Sequence, residues 1–221
     1  MIGSAADGRR CVIIGAGGHA SVLLDALATA DVTLAGVLAA NRSMWGATWN
    51  GVPVLGGDDQ LESLLKKGIT HFVVGVGGIG DNRPRVRLFE KAVAAGLTPL
   101  SVLHPASGVS PRATLGPGCQ ILPGAIVNAG AHLGSNVIVN TGAIIEHDGR
   151  IADHVHVATG ARLASTVTVG RGAHVGAGAV VLQCRTIGDW ALVGAGAVVV
   201  EDVEAGSVVV GVPARRMEKR S

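Results

Sequence analysis

Tyrosine is absent from the 221 residues, and phenylalanine and tryptophan supply only two and three positions. A conventional sandwich or barrel core leans on such rings, because each buries a large area in one place. Their scarcity excludes a core of that kind. Charge is also sparse: Asp, Glu, Lys and Arg make up 15% of the chain, with a formal net charge of +2. Phosphate backbones require a basic stripe, so nucleic acid is excluded as the main partner. The three cysteines, Cys11, Cys119 and Cys184, stand at unrelated spacings and suggest neither a disulfide framework nor a zinc cluster. No apolar run reaches the ~18 residues of a membrane span, and the start MIGSAADGRRCVII shows no signal-peptide core or cleavage pattern. The expectation is a soluble cytoplasmic protein with no membrane insertion.

What the chain does contain is glycine, at 34 positions, within a composition that is 48% hydrophobic and therefore not disordered. The first hundred residues alternate between strand-like and helix-like stretches. Cys11–Ile14 is a short β-branched run that ends in Gly15-Ala-Gly-Gly-His19-Ala20, after which Val22, Leu23, Ala26 and Leu27 recur at helical spacing. Val32–Leu38 and Val52–Leu55 read as strands. Asp58 and Asp59 are N-cap candidates for a helix through Lys67, and Ile69–Val76, Arg83–Ala95 and Leu97–Leu103 read as strand, helix, strand. That order predicts a small parallel sheet with crossover helices, a Rossmann-like α/β domain over residues 1–104.

From Val109 the pattern changes. Written in sixes, the chain gives sixteen consecutive hexads to Glu204, each opening with Val, Ile or Leu. With 63 such residues in 221, chance produces this about twice in a billion, so the segment is a repeat. The fifth position is Ala, Val, Cys or Gly in every hexad except that of Arg185. One inward aliphatic per six, with a small residue four later, predicts a triangular parallel β-helix of eighteen-residue coils. Sixteen hexads make just over five coils, roughly 25 Å tall at the strand spacing. Residues 105–221 therefore read as an all-β second domain with a C-terminal tail.

The hexads resemble the left-handed β-helix of hexapeptide-repeat acyltransferases. The whole chain resembles the bacterial sugar acetyltransferases of the NeuD/PglD type, which include sialic acid O-acetyltransferases and N-acetyltransferases for nucleotide-linked 4-amino sugars. Four stretches carry the likeness: Gly15-Ala-Gly-Gly-His19, Ile79-Gly-Asp-Asn82-Arg83, Asn140-Thr-Gly-Ala-Ile-Ile-Glu-His147-Asp148 and Gly211-Val-Pro-Ala-Arg215-Arg216. The resemblance implies a homotrimer, with acetyl-CoA as co-substrate in the groove between adjacent β-helices, a sugar-nucleotide acceptor and no metal.

His147 is third in its hexad, on an outward face between Glu146 and Asp148. Acyl transfer from a thioester needs a base for the attacking amine or hydroxyl, and an imidazole titrates in the right range. A neighbouring carboxylate would hold its tautomer and stabilise the cation. On the residues alone, His147 is equally a solvated histidine beside two carboxylates; the resemblance implies that His147 is the base and Asp148 its acidic partner. Ser165, one coil further, stands where the family has a Gly whose N–H helps hold the thioester oxygen, and it keeps that N–H. Asn140, seven residues before His147, is implied to belong to the site, against an asparagine that caps a β-helix turn.

His156 aligns with a histidine that contacts acetyl-CoA, and Ala177 and Ala195 with backbone contacts to the pantetheine. His174, one coil beyond His156, reads as surface. Stacked outward histidines also raise a metal hydratase of β-helical fold, but the histidine spacings do not reproduce that pattern. Gly15-Ala-Gly-Gly-His19-Ala20 satisfies G-x-G-x-x-A between strand and helix, where glycines let amides approach a phosphate. Gly17 and Gly18 are placed there, with His19 near the sugar amine and Asn82 against the nucleotide. The second strand ends in Ala39-Ala40 where the family has an acidic pair, which argues against hydride chemistry with a nicotinamide cofactor. Arg215, Arg216, Lys219 and Arg220 read as a solvated basic tail, with the CoA 3′-phosphate as the alternative. The expected activity is N-acetylation of a nucleotide-linked 4-amino sugar. The alternatives are O-acetylation of sialic acid or a related sugar, and a non-catalytic hexapeptide scaffold.

Overall fold

The structure, a computed structural model, describes residues 8–217. Lys219 and Arg220 of the basic tail lie outside the described residues. The chain forms two compact units. One runs to Gly77 and resumes over Pro84–Val102; the other combines Gly78–Arg83 with the chain from Leu103 onward.

The first unit contains β1 (Arg10–Ile14), α1 (Gly18–Leu27), β2 (Thr33–Leu38), a small hairpin of β3 (Thr48–Trp49) and β4 (Val52–Pro53), α2 (Leu61–Lys66), β5 (His71–Val74), most of α3 (Arg83–Ala94) and β6 (Thr98–Pro99). The sheet is parallel in the order β2-β1-β5-β6. Cys11–Ile14 is covered on both faces, which is why this central strand reads as an unbroken apolar run instead of an alternating one. Val12, Ile14, Leu38, Phe72 and Val74 pack with Leu61, Leu64 and Phe89, and the Phe72 and Phe89 rings meet edge-on at 5.4 Å.

Two local expectations need correcting. Asp58 and Asp59 do not cap α2 but form a 3₁₀ turn, Asp58–Gln60, with Gly57 before it. The Asp58 carboxylate is drawn instead to Lys91 Nζ at 3.0 Å. The predicted strand Leu97–Leu103 is two strands in two different sheets. Thr98–Pro99 extends the first sheet, where Pro99 has no N–H to continue the ladder, and Val102–Leu103 begins the second unit's first face.

The second unit is a left-handed triangular β-helix. Its three faces begin at Val102–Leu103, Gly108–Val109 and Thr114–Leu115, and each recurs every eighteen residues in parallel register. On the first face Ile138, His156, His174 and Leu192 lie side by side. The prism has about six turns rather than just over five, because a Leu103 hexad opens it and the Val208–Val210 strand extends it. The opening aliphatics and the small fifth-position residues fill one continuous core from Cys119 to Val209. Arg185, the exception at position five, is tied to Gln183 O and Asp202.

The glycine content has a positional cause. At every sixth residue from Gly118 to Gly196 the backbone is left-handed, and this fourth position of the hexad turns each corner. Glycine adopts that conformation without cost. Six of these corners carry other residues, Asn136, Asp148, His154, Thr166, Cys184 and Trp190, at φ between 54° and 62°. Asp and Asn tolerate this region better than bulky residues do.

Candidate active site

In the first unit, a cavity of about 150 Å³ opens beyond the carboxyl ends of β1, β2 and β5. The strand order reverses between β2 and β5, on either side of β1, and open α/β sheets bind ligands at such a switch point. Ile14, Gly15, Leu38, Ala39, Val76 and Leu88 give it a small, apolar lining. Gly15 sits at φ +116°, and a Cβ there would come within 2.9 Å of Val76, so a larger residue would close the cavity. Gly17 caps α1 without a side-chain bond, and the first turn of α1 has no acidic residue to occupy its N–H groups. Gly17 and Gly18 are exposed beside the cavity, and the His19 ring lies near Gly77. Ala39 and Ala40 line the cavity at the point where the resemblance would place an acidic pair. The charged residue of the lining is Asp58, from a different loop. Sequence reading missed it because it treated the residue as a helix cap.

In the second unit, a larger cavity of about 490 Å³ runs along the first face of the prism. Asn140, His156, Ala177 and Ala195, singled out at separate points of the sequence, all line it. Asn140 Nδ2 donates to His156 Nε2 at 3.2 Å, while Asn140 Oδ1 accepts from the Thr141 N–H at 2.8 Å. Asn140, seven residues before His147 in the chain, is thus set against His156. His174 needs a correction: it is not a surface residue but 7% exposed, its ring edge-on to His156 at 4.8 Å, and part of the same lining. Small residues keep the floor open. A Cβ on Gly176 would strike the Ala195 N and Val193 O at 2.6 Å.

His147 and Asp148 stand at the next corner, between the second face (Ile144–Ile145) and the third (Arg150–Ile151). His147 Nδ1 lies 2.8 Å from Asp148 Oδ2, and both side chains are more than half exposed. A carboxylate can only accept, so Nδ1 carries the proton and the Nε2 lone pair is left for chemistry. The corner conformation of Asp148, φ 61°, turns its carboxylate back onto the preceding ring. Ser165 lies one coil on, as the bond from Thr166 N–H to His147 O at 3.0 Å requires. Among the described residues, no three His, Cys, Asp or Glu are placed to hold a metal ion, and no helix is long and apolar enough to cross a membrane.

A switch-point cavity in a small parallel sheet, in one chain with a hexapeptide prism that presents a His–Asp pair, defines a two-part hexapeptide-repeat acyltransferase. Residues 10–92 match the sequence model of the PglD N-terminal domain. PerB from Caulobacter crescentus, solved with CoA and GDP-perosamine, is 38% identical over 98% of this chain and 100% of its own, with a TM-score of 0.88. The acetyltransferase domain of PglB from Neisseria gonorrhoeae, solved with acetyl coenzyme A, is 35% identical over 95% of this chain and 99% of its own, with a TM-score of 0.85. Comparison with curated protein sequences gives no match. The chain belongs to the NeuD/PglD-type hexapeptide-repeat sugar acetyltransferases, and it is an acetyltransferase.

Proposed function

We propose that the protein transfers the acetyl group of acetyl-CoA to the 4-amino group of a nucleotide-linked amino sugar, working as a cytoplasmic homotrimer with His147 as general base. The observation that carries the chemistry is the 2.8 Å His147–Asp148 pair, presented to solvent with Nε2 unencumbered. The ligands named for PerB, CoA and GDP-perosamine, support the substrate class. The thioester supplies an activated acetyl group. His147 Nε2 accepts the proton of the amine as its nitrogen bonds to the acetyl carbon, and Asp148 stabilises the imidazolium that results; the C–S bond of the thioester then breaks, and the CoA thiolate leaves as the thiol by taking the proton from His147. The backbone N–H of Ser165, stacked beyond His147, is available to the oxygen on which charge develops. The 490 Å³ cavity has the small lining an extended pantetheine arm requires, with Asn140, His156 and His174 as its polar side chains. The nucleotide occupies the switch-point cavity, its phosphates toward Gly17 and Gly18, with His19 near the sugar amine.

A homotrimer, in which every copy meets a neighbour on each side, agrees with where these groups sit. His147 stands at a corner of the prism outside the donor cavity's lining, so a base beside the thioester requires the corner of one copy against the cavity of another. Thiol release from acetyl-CoA with GDP-perosamine and other nucleotide-linked 4-amino sugars tests the reading. Turnover with one of them, reduced on the order of 10²-fold or more in His147→Ala, is expected. Turnover only with sialic acid would replace the amine by a hydroxyl acceptor. Wild-type kcat in the variant would end the base assignment.

A further inference from the structure

The sequence reading sets Asn82 against the nucleotide. Its place in the structure assigns it other work. Although its flanks on both sides belong to the first unit, the segment Gly78–Arg83 packs with the second. Gly78, Ile79 and Gly80 form part of the lining of the 490 Å³ cavity, with His156, His174 and Ala195. Asn82 is 1% exposed, and its Nδ2 donates to two backbone carbonyls of the prism, Gly172 O at 3.1 Å and Ala173 O at 3.0 Å. Next to it the Arg83 guanidinium lies 4.9 Å from the centre of the Trp190 ring. Two glycines make the close fit possible. A Cβ on Gly78 would overlap Asn82 Oδ1, and Gly80 turns at φ +77° against Leu192. Between them Ile79 has its side chain fully exposed at the cavity's edge.

We propose that Asn82 is a positioning residue for the acetyl donor: it pins Gly78–Gly80 to the prism as one wall of the donor cavity, and Ile79 is the apolar contact which that wall offers to the pantetheine arm. This rests on the acetyl-CoA reading above and gives the cavity a side not made from hexads. A lone aliphatic side chain held out by a doubly bonded amide suits a chain of methylenes and amides better than a phosphate or a nucleobase. Nothing in the segment supplies the positive charge that phosphate recognition needs except Arg83, which is engaged with Trp190.

The test is CoA binding by calorimetry, without any sugar, to the wild type, Ile79→Asp and Asn82→Ala, followed by the KM for each substrate in turnover. Ile79 is fully exposed, so Ile79→Asp is expected to fold and melt as the wild type does. Both variants are expected to bind CoA about tenfold more weakly and to raise the KM for acetyl-CoA, with kcat and the KM for the sugar nucleotide little changed. A collapsed fold would change all of these together; in Asn82→Ala the melting temperature separates that case, and Ile79→Asp then decides alone. Equal CoA binding by the wild type and Ile79→Asp would overturn the wall. A raised KM for the sugar nucleotide alone in Asn82→Ala would return Asn82 to the nucleotide. No CoA binding by the wild type would overturn the donor reading itself.

Discussion

Single residues decide how the proposed base, His147, is presented. Gly130 lies one coil before Asp148 at φ +74°, and a Cβ there would collide with the Asp148 carboxylate that holds His147. Gly130→Ala is therefore expected to lower kcat by about tenfold or more, with the KM for acetyl-CoA unchanged, as steady-state kinetics would show. The three thiols should differ in reactivity. Burial pushes the Cys11 thiol up to about 12, Cys119 is buried, and Cys184 is exposed at a corner. A thiol-alkylating reagent near neutral pH should label Cys184 in the native protein and reach the other two only after unfolding, as mass spectrometry would show. His71 carries a stability signature. Partial burial first, and then Arg9, hold its folded value below the 6.5 of the unfolded chain. The neutral ring is thus favoured in the fold, so its contribution is present above about pH 6.5 and is lost as pH falls through the lower folded value. His71→Gln should flatten the fall of melting temperature on the acid side.

At the scale of elements, the hexad was the most legible feature of the chain. Each turn of the prism buries the same positions against the turns before and after it, so the stabilising unit is a repeat with two neighbours. Ile145, fully buried, opens the hexad that contains His147. Ile145→Ala should cost about 2–5 kcal/mol, read from denaturant unfolding, because the stacked coils cannot close over the lost methyls. Outward positions were harder to read. His174 and His156 share hexad position and stacking, yet nothing in the period says that a cavity lies over that face. The change of sheet after Pro99 was equally hidden, since an apolar stretch does not declare which of two sheets it joins. The resemblance did single out Ala177 and Ala195, eighteen residues apart, and both stand in the cavity lining.

At the scale of the whole molecule, the proposed mechanism needs His147 beside a cavity whose lining, on the same prism, does not include it. If each site is shared by two copies, inactive variants should complement one another. His147→Ala lacks the base, and Ala177→Phe, at an exposed position of the cavity lining, blocks the donor. Coexpressed in equal amounts as mixed trimers, they should recover about a quarter of the wild-type activity, since each site draws its two halves independently. Either variant alone should have almost none. Failure to recover activity in mixed trimers of confirmed composition would place base and donor site on the same copy.

By itself the sequence determined the β-helix, its eighteen-residue coil, the parallel sheet ahead of it and the His147–Asp148 pair. All of these are written in local periods and neighbouring residues, where spacing translates directly into geometry. Only the tertiary structure decided that Asn140 meets His156, that His174 is buried, that Asp58 stands in the switch-point cavity and that Asn82 is bonded to the prism. Each of those is a contact between residues far apart in the chain or on different faces. Such contacts depend on how corners and loops close in three dimensions, which a repeat period of six does not encode.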